Sequence, residues 1–242
     1  MDRLRLGILQ TNRDPTAIGT RFPDDAHRFR DLFDAQERRF TYRVYMSIGG
    51  EVPASPEEQD AWLITGSPLS VLDDHAWLPP MLQFIRDVDD RGVPLFGACF
   101  GHQAIGLALG GTVETVGWQL GIEEVRFTQA RDWMDPFHET LPLYCANKDQ
   151  VTQAPPGFDV LGEMADCPVA CMSNGTTMGI QCHPELTDPF LHAVLDSMHG
   201  EAGADVLRAA RESMMQEARG DVFAAWVTRF FETARETERK AA

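Results

Sequence analysis

At roughly 150 residues per domain, a chain of 242 residues has length for one large α/β domain with a sizeable core. Its residues are 43% apolar and 24% charged, with 20 glycines and 15 prolines, an ordinary globular composition that excludes disordered and collagen-like chains. A net charge of -16 repels phosphate backbones and so argues against nucleic acid as a partner; the acid is spread along the chain (Asp24, Asp25, Glu57, Glu58, Asp73, Asp74, Glu123, Glu124), which reads as a solvated surface.

The opening residues run straight into a strand-like segment without the apolar core and small-residue cleavage site of a signal peptide. No run approaches the ~18 apolar residues of a membrane span. A cytoplasmic location, away from membranes, is therefore the default expectation. The five cysteines (99, 145, 167, 171 and 182) are odd in number and irregularly spaced, which predicts mostly packed thiols rather than a disulfide framework.

In chain order, short β-branched or apolar runs bounded by turn residues predict strands over 4–10, 40–46, 61–65, 94–98, 112–116, 122–128, 141–146, 158–162, 169–172 and 177–183. Helical spacing appears over 27–36, where Phe29, Leu32 and Phe33 recur, and over 81–88, preceded by Pro79 and Pro80 and ended by Gly92. Strands alternating with helices predict a parallel sheet in the first part of the chain. From Gly111 to His183 closely spaced strands predict an antiparallel extension of a mixed sheet.

The remainder reads as helical. Asp188 is expected as an N-cap with Pro189 at the first helical position, a second helix is expected over 206–215, and Asp221 is expected to cap 222–231. In that last segment Phe223, Trp226, Val227, Phe230 and Phe231 share one face. These helices can cover the sheet, supply a dimer face or dock a partner, and packing is the default for such a stripe.

The most informative stretch is 93–111, which reads strand, sharp turn, helix around Gly97-Ala98-Cys99-Phe100-Gly101. Glycines two before and two after a nucleophile let the chain turn tightly and let the helix approach the strand, the mechanics of a nucleophile elbow with cysteine in place of serine. At a helix N-terminus, the dipole and free backbone N–H groups favour the thiolate. The competing reading is a structural cysteine in a Gly-rich turn.

A nucleophilic cysteine needs a base, and the base needs a group to hold its tautomer. His183-Pro184-Glu185, at the end of a buried-looking strand, can place Glu185 against one imidazole nitrogen while the other faces the thiol. His102 is expected to line the helix entrance, and His27, His75, His138, His192 and His199 lack an obvious acidic partner. A metal site of Cys167, Cys171, Cys182 and His183 lacks the usual ligand spacing, so no metal is expected.

Taken together, Gly97-Ala98-Cys99-Phe100-Gly101-His102-Gln103, Gly179-Ile180-Gln181-Cys182-His183-Pro184-Glu185 and the upstream Ala61-Trp62-Leu63-Ile64-Thr65-Gly66-Ser67-Pro68 resemble the class I glutamine amidotransferase family in its motif order. The wording is similar to that of stand-alone, GMP-synthase-like domains. The resemblance spans 4–186 and implies one domain over 1–242, with 187–242 as a C-terminal helical segment. The implied fold is flavodoxin-like: a central, mostly parallel sheet flanked by helices, with a small antiparallel extension.

By the same resemblance Cys99 is the nucleophile, His183 the general base and acid, and Glu185 its orienting carboxylate. Backbone N–H groups of Phe100 and of the Gly66-Ser67 loop form the oxyanion hole, and Gln103 with the segment Ala146, Asn147 and Lys148 borders the substrate's amino-acid end. The implied reaction cleaves a γ-glutamyl amide through a thioester, without metal or cofactor. Two departures stand out: Ser67 replaces the second glycine of the loop, which bears on its freedom to flip, and Asn147 replaces a histidine. Trp118 is expected either to line the pocket or to pack, with packing favoured.

No phosphate-binding loop of the Gly-rich type occurs, so acceptor activation is not expected of this chain. The main reading is a self-sufficient hydrolase of glutamine or of γ-glutamyl amides and peptides. The alternatives are a glutaminase subunit feeding ammonia to a separate synthetase, and a non-catalytic glutamine-binding or regulatory protein. Association of the chain with itself stays open.

Overall fold

The computed structural model describes residues 3–241, with side chains described through residue 235. In chain order the elements are β1 (Leu4–Leu9), α1 (Ala17–Arg21), α2 (Asp25–Asp34), β2 (Phe40–Tyr45), β3 (Ala61–Ile64), α3 (Leu78–Arg91), β4 (Leu95–Ala98), α4 (Phe100–Ala108), β5 (Thr112–Phe127), β6 (Thr140–Gln153), β7 (Asp159–Met164), β8 (Cys167–Ser173), β9 (Thr177–Ile180), α5 (Asp188–Ser197), α6 (Ala204–Ser213) and α7 (Gly220–Ala241). The strands form one sheet in the order β2-β1-β3-β4-β9-β8-β7-β5-β6.

The fold is α/β, a large mixed sheet flanked by helices. The pairings from β2 to β9 are parallel, and those from β9 to β6 antiparallel. Every residue of β3, β4 and β9 is buried, as expected of short apolar strands covered on both faces. On one face α2 and α7 bring Phe29, Phe33, Phe223, Trp226, Phe230 and Phe231 onto Leu6, Ile8, Leu63 and Phe96. On the other, α3 and α4 bring Phe84, Ile85, Val88, Phe100 and Ile105 onto Trp62, Ile64 and Leu95. Each such side chain, fully buried, contributes about 1.5–3 kcal/mol.

Several boundaries differ from the sequence reading. The expected strands 112–116 and 122–128 are one bent strand, β5, whose register against β6 shifts between Thr115 and Gln119, with Gly117 at φ 116° and Gly121 at φ 102°. At Gly121 a Cβ would lie 2.8 Å from the Ala210 Cα, so a side chain there would collide with α6. The antiparallel half is correspondingly broader than a small extension, because β6 continues to Gln153 through buried Asn147, Asp149 and Gln150, whose polarity hides a strand from an apolar count.

The helix caps also move. Thr187, not Asp188, is the N-cap of α5; Asp188 sits in the first turn, where its carboxylate accepts the Tyr144 hydroxyl at 2.5 Å. In α7 the helix already begins at Gly220, so Asp221 lies within its first turn and pairs with Arg219 at 3.0 Å. Asp25, read from sequence as a solvated acid, is only 5% exposed because it faces a buried arginine one helical turn on.

Candidate active site

Cys99 lies between β4 and α4 at φ 48° and ψ -105°, the one non-glycine residue at positive φ among those described. Its N–H donates to the Ile180 carbonyl at 2.8 Å and its carbonyl accepts Gln103 N–H at 3.0 Å, fixing the turn from both sides. The flanking glycines are required sterically. A Cβ at Gly97 would stand 2.5 Å from the Gly101 carbonyl carbon, and one at Gly101 would stand 2.5 Å from the Ile64 carbonyl oxygen. Helix α4 can pack this close to β3 and β4 only with hydrogen at both positions.

His183 follows β9, the neighbour of β4, and is anchored by its N–H to the Tyr144 carbonyl at 2.8 Å. Its Nδ1 lies 2.7 Å from Glu185 Oε1, and the Glu185 side chain is wholly buried. Burial favours a neutral imidazole, but the charges of Cys99 and Glu185 and their hydrogen bonds outweigh it and hold His183 well above its ordinary value. His183, paired with Glu185, thus borders the same cavity as Cys99.

Gly66, after β3, lies on the open side of this group. A Cβ there would be 2.7 Å from His183 Cε1 and 3.8 Å from Cys99 Cβ. A cavity of about 370 Å3 opens here, bordered by Gly66, Ser67, Cys99, Gln103 and His183. It is also lined by Trp118, Ala146, Asn147 and Lys148, so all the substrate-side residues singled out from sequence meet at one place. Phe100 turns its ring into the core against Trp77, with centroids 5.6 Å apart, leaving only its backbone near the turn.

Hydrogen bonds hold several polar side chains of the lining in place. Gln103 Nε2 donates to the Asp149 carbonyl at 2.6 Å, and the Asp149 carboxylate accepts the hydroxyls of Ser70 and Thr115, both at 2.5 Å. Asn147 Nδ2 donates to the same carbonyl at 3.3 Å, while its buried Oδ1 has no partner among the described residues. Trp118 lines the cavity with the Lys148 ammonium 5.9 Å from its ring and also packs against the apolar cluster of Leu120, Ile122, Leu191 and Leu195, so it meets both expectations.

His102 does not reach the site. It is fully buried, with Nε2 2.9 Å from the Val169 carbonyl, and burial lowers it to about 4 despite that bond. The other four cysteines are free and buried; burial pushes Cys167 up to about 12 and Cys171 and Cys182 upward as well, so these three lack the thiolate character of nucleophiles.

Another part of the lining was not legible in sequence. Asn12, Arg28 and Asp25 border the cavity together with Phe190 of α5. Arg28 bonds Asp25, donates to the Pro23 carbonyl at 2.5 Å, and stacks 4.0 Å over the Phe190 ring. Asn12 donates to the other Asp25 oxygen at 2.9 Å. The available signal was an acid and a base three residues apart at a helix start, a pattern that most often marks a surface pair.

The architecture and this elbow-centred site define a class of protein, and comparison with known proteins identifies it. The family model for glutamine amidotransferase class-I matches residues 40–190. The chain belongs to the class I glutamine amidotransferase family. It is 34% identical over 136 residues to a GMP synthase (glutamine-hydrolyzing) of Aromatoleum aromaticum, covering 52% of this chain and 25% of that protein, and 34% identical over 141 residues to one from Ralstonia pickettii, with the same coverage. The chain thus spans about a quarter of the length of these curated relatives.

Among solved structures it is similar to a glutamine amidotransferase from Thermotoga maritima, with TM-score 0.73 and 17% identity over 96% of this chain and 100% of that one. It is also similar to a glutamine amidotransferase from Methylobacillus flagellatus, with TM-score 0.72 and 19% identity over 96% of each. At such identities the likeness is one of fold.

Proposed function

We propose that the chain hydrolyses the side-chain amide of glutamine and supplies the ammonia to a separate synthetase. The observation that carries this reading is the strained, cavity-facing Cys99 beside a buried His183–Glu185 pair. Membership of the amidotransferase family and the partial match to GMP synthases support the choice of glutamine and of an ammonia-consuming partner.

In this mechanism the Cys99 thiolate attacks the γ-carbonyl while N–H groups of Ser67 and Phe100 receive the oxyanion. Each such donor is worth a few kcal/mol in the transition state, about 2.7–4 where one has been removed. The His183 imidazolium protonates the departing nitrogen and, once neutral, activates the water that cleaves the γ-glutamyl thioester. Glu185 holds the ring and stabilises its charge. Gln103, Ala146, Asn147 and Lys148 form the pocket for the amino-acid end.

One observation favours a second reading, hydrolysis of larger γ-glutamyl amides by the chain alone. The cavity lining also includes the apolar Ile18, Leu186, Phe190, Val194 and Met198, more apolar surface than ammonia as a leaving group requires. Glutamate release from glutamine and from γ-glutamyl amides, with and without an ammonia-dependent synthetase and with Cys99→Ala as blank, separates the readings. Slow glutamine turnover accelerated by the synthetase supports the first; faster turnover of the substituted amides by the chain alone supports the second. Glutamine binding without any turnover in either setting would leave a binding protein.

A further inference from the structure

Thr11 and Thr65 are both 0% exposed and lie just beyond the ends of neighbouring parallel strands, β1 and β3. Thr11 N–H donates to Thr65 Oγ1 at 3.1 Å, and the two hydroxyls lie 3.1 Å apart. Both reach the Gly66 carbonyl oxygen, Thr11 Oγ1 at 2.9 Å and Thr65 Oγ1 at 3.1 Å. A backbone carbonyl in a loop beside the reactive thiol is thus held by two buried side-chain hydroxyls from beneath the site.

The consequence follows from the planarity of the peptide. The carbonyl of residue 66 and the N–H of residue 67 belong to one trans unit and point in opposite directions. With the carbonyl drawn into the protein, the N–H of Ser67 is turned outward, and Gly66 and Ser67 both border the cavity. Serine at position 67 lacks the conformational freedom of glycine. A loop that cannot flip cheaply needs its orientation set in advance.

We propose that Thr11 and Thr65 are positioning residues that clamp the Gly66 carbonyl and so preset the Ser67 N–H toward the carbonyl attacked by Cys99. This rests on the reading of Cys99 as the glutamine nucleophile. The hydroxyls form a short relay: Thr11 N–H donates to Thr65 Oγ1 and leaves the Thr65 hydroxyl proton for the Gly66 oxygen, while the single Thr11 hydroxyl proton has the Gly66 oxygen at 2.9 Å as its nearer acceptor and the Thr65 carbonyl at 3.1 Å as the other. Preorganised donors cost no reorganisation at the moment of reaction, which is why a fixed carbonyl matters to catalysis.

The test compares two reagents on the whole chain. A glutamine chloroketone reacts through a tetrahedral adduct that needs the oxyanion donor, whereas iodoacetamide alkylates the thiolate by displacement and does not. Thr11→Val and Thr65→Val keep side-chain shape and remove the hydroxyl; each should slow chloroketone labelling of Cys99 about tenfold or more and leave the iodoacetamide rate within about twofold. Thr11→Ser and Thr65→Ser should restore most of the chloroketone rate.

Equal slowing with both reagents, an unchanged chloroketone rate in both valine variants, or serine variants as slow as valine would each overturn the clamp. Labelling of the wild-type chain that persists in Cys99→Ala would instead overturn the underlying reading of the nucleophile, so the two failures are distinguishable.

Discussion

Gly66 faces His183 so closely that a methyl group on it would stand 2.7 Å from the imidazole Cε1. The ring has little room to yield, because its Nδ1 is held at 2.7 Å by the buried Glu185. Gly66→Ala must therefore displace either the ring or the loop. A displacement near 1 Å at a reacting centre can cost about 10²-fold in rate, and that is the expected fall in kcat for glutamine hydrolysis. Glutamate release and thermal melting on the same preparation check it; a variant with full kcat would show that the ring and loop are not held as described.

A second prediction concerns pH. His183 is raised above its ordinary value of about 6.5, burial opposing and Cys99 and Glu185 prevailing. A raised folded value means that the proton-linked stabilisation is complete below about pH 6.5 and is lost as pH rises through the folded value. The urea midpoint of the wild type, measured against His183→Asn, should accordingly lose its advantage on the alkaline side. Cys99→Ala removes a charge that favours the imidazolium, so the His183 resonance should titrate at lower pH in that variant. A titration unmoved by Cys99→Ala would contradict the coupling.

How far the sequence foretold this arrangement depends on the kind of interaction. The elbow was legible because glycines at 97 and 101 answer to local backbone contacts, and the His183–Glu185 pair because two residues suffice to define it. Central strands were legible because burial on both faces leaves continuous apolar runs. The far end of β6 was hidden by buried polar residues, and the part of the cavity lining that holds Asn12, Asp25, Arg28 and Phe190 by distance along the chain. Arg28 meets Phe190, and Thr11 meets Gly66, only after parallel strands bring remote segments together. No periodicity records such encounters, and an Asp25–Arg28 spacing looks the same on a surface helix as in a core.

That pair carries a stability prediction. Asp25 is 5% and Arg28 9% exposed, and burial raises the Asp25 carboxyl while Arg28 opposes the rise and the Glu185 charge adds to it. Arg28→Met strands a buried acid beside the site, and breaking a buried pair in this way costs about 3–5 kcal/mol. The variant's Asp25, with a raised folded value, is tolerated when protonated. The deficit should therefore be smallest at acid pH and grow as pH rises through that value. Urea unfolding of both proteins from pH 4.5 to 8 measures it, and a deficit constant over that range would show that the acid is not the source.

The elbow carries a prediction of its own. At Gly101 an added Cβ would meet the Ile64 carbonyl oxygen at 2.5 Å, Ile64 Cβ at 2.9 Å and the Ile64 carbonyl carbon at 3.0 Å. Two of these are backbone of β3, the strand that leads into the Gly66 loop, so the methyl cannot be absorbed by a side-chain rotation. Overpacking of this kind costs about 1–3 kcal/mol, and the strain must be relieved by moving α4 away from β3. Cys99 sits between β4 and α4, so the same movement shifts the thiol relative to His183. Gly101→Ala should thus remain folded with a lowered melting temperature while losing glutamine turnover and slowing Cys99 alkylation by iodoacetamide. Unlike the threonine variants, it should affect both thiol reagents alike, because it moves the nucleophile itself rather than the oxyanion donor. A stable Gly101→Ala protein with an unchanged alkylation rate would show that the close approach of α4 to β3 does not position the thiol.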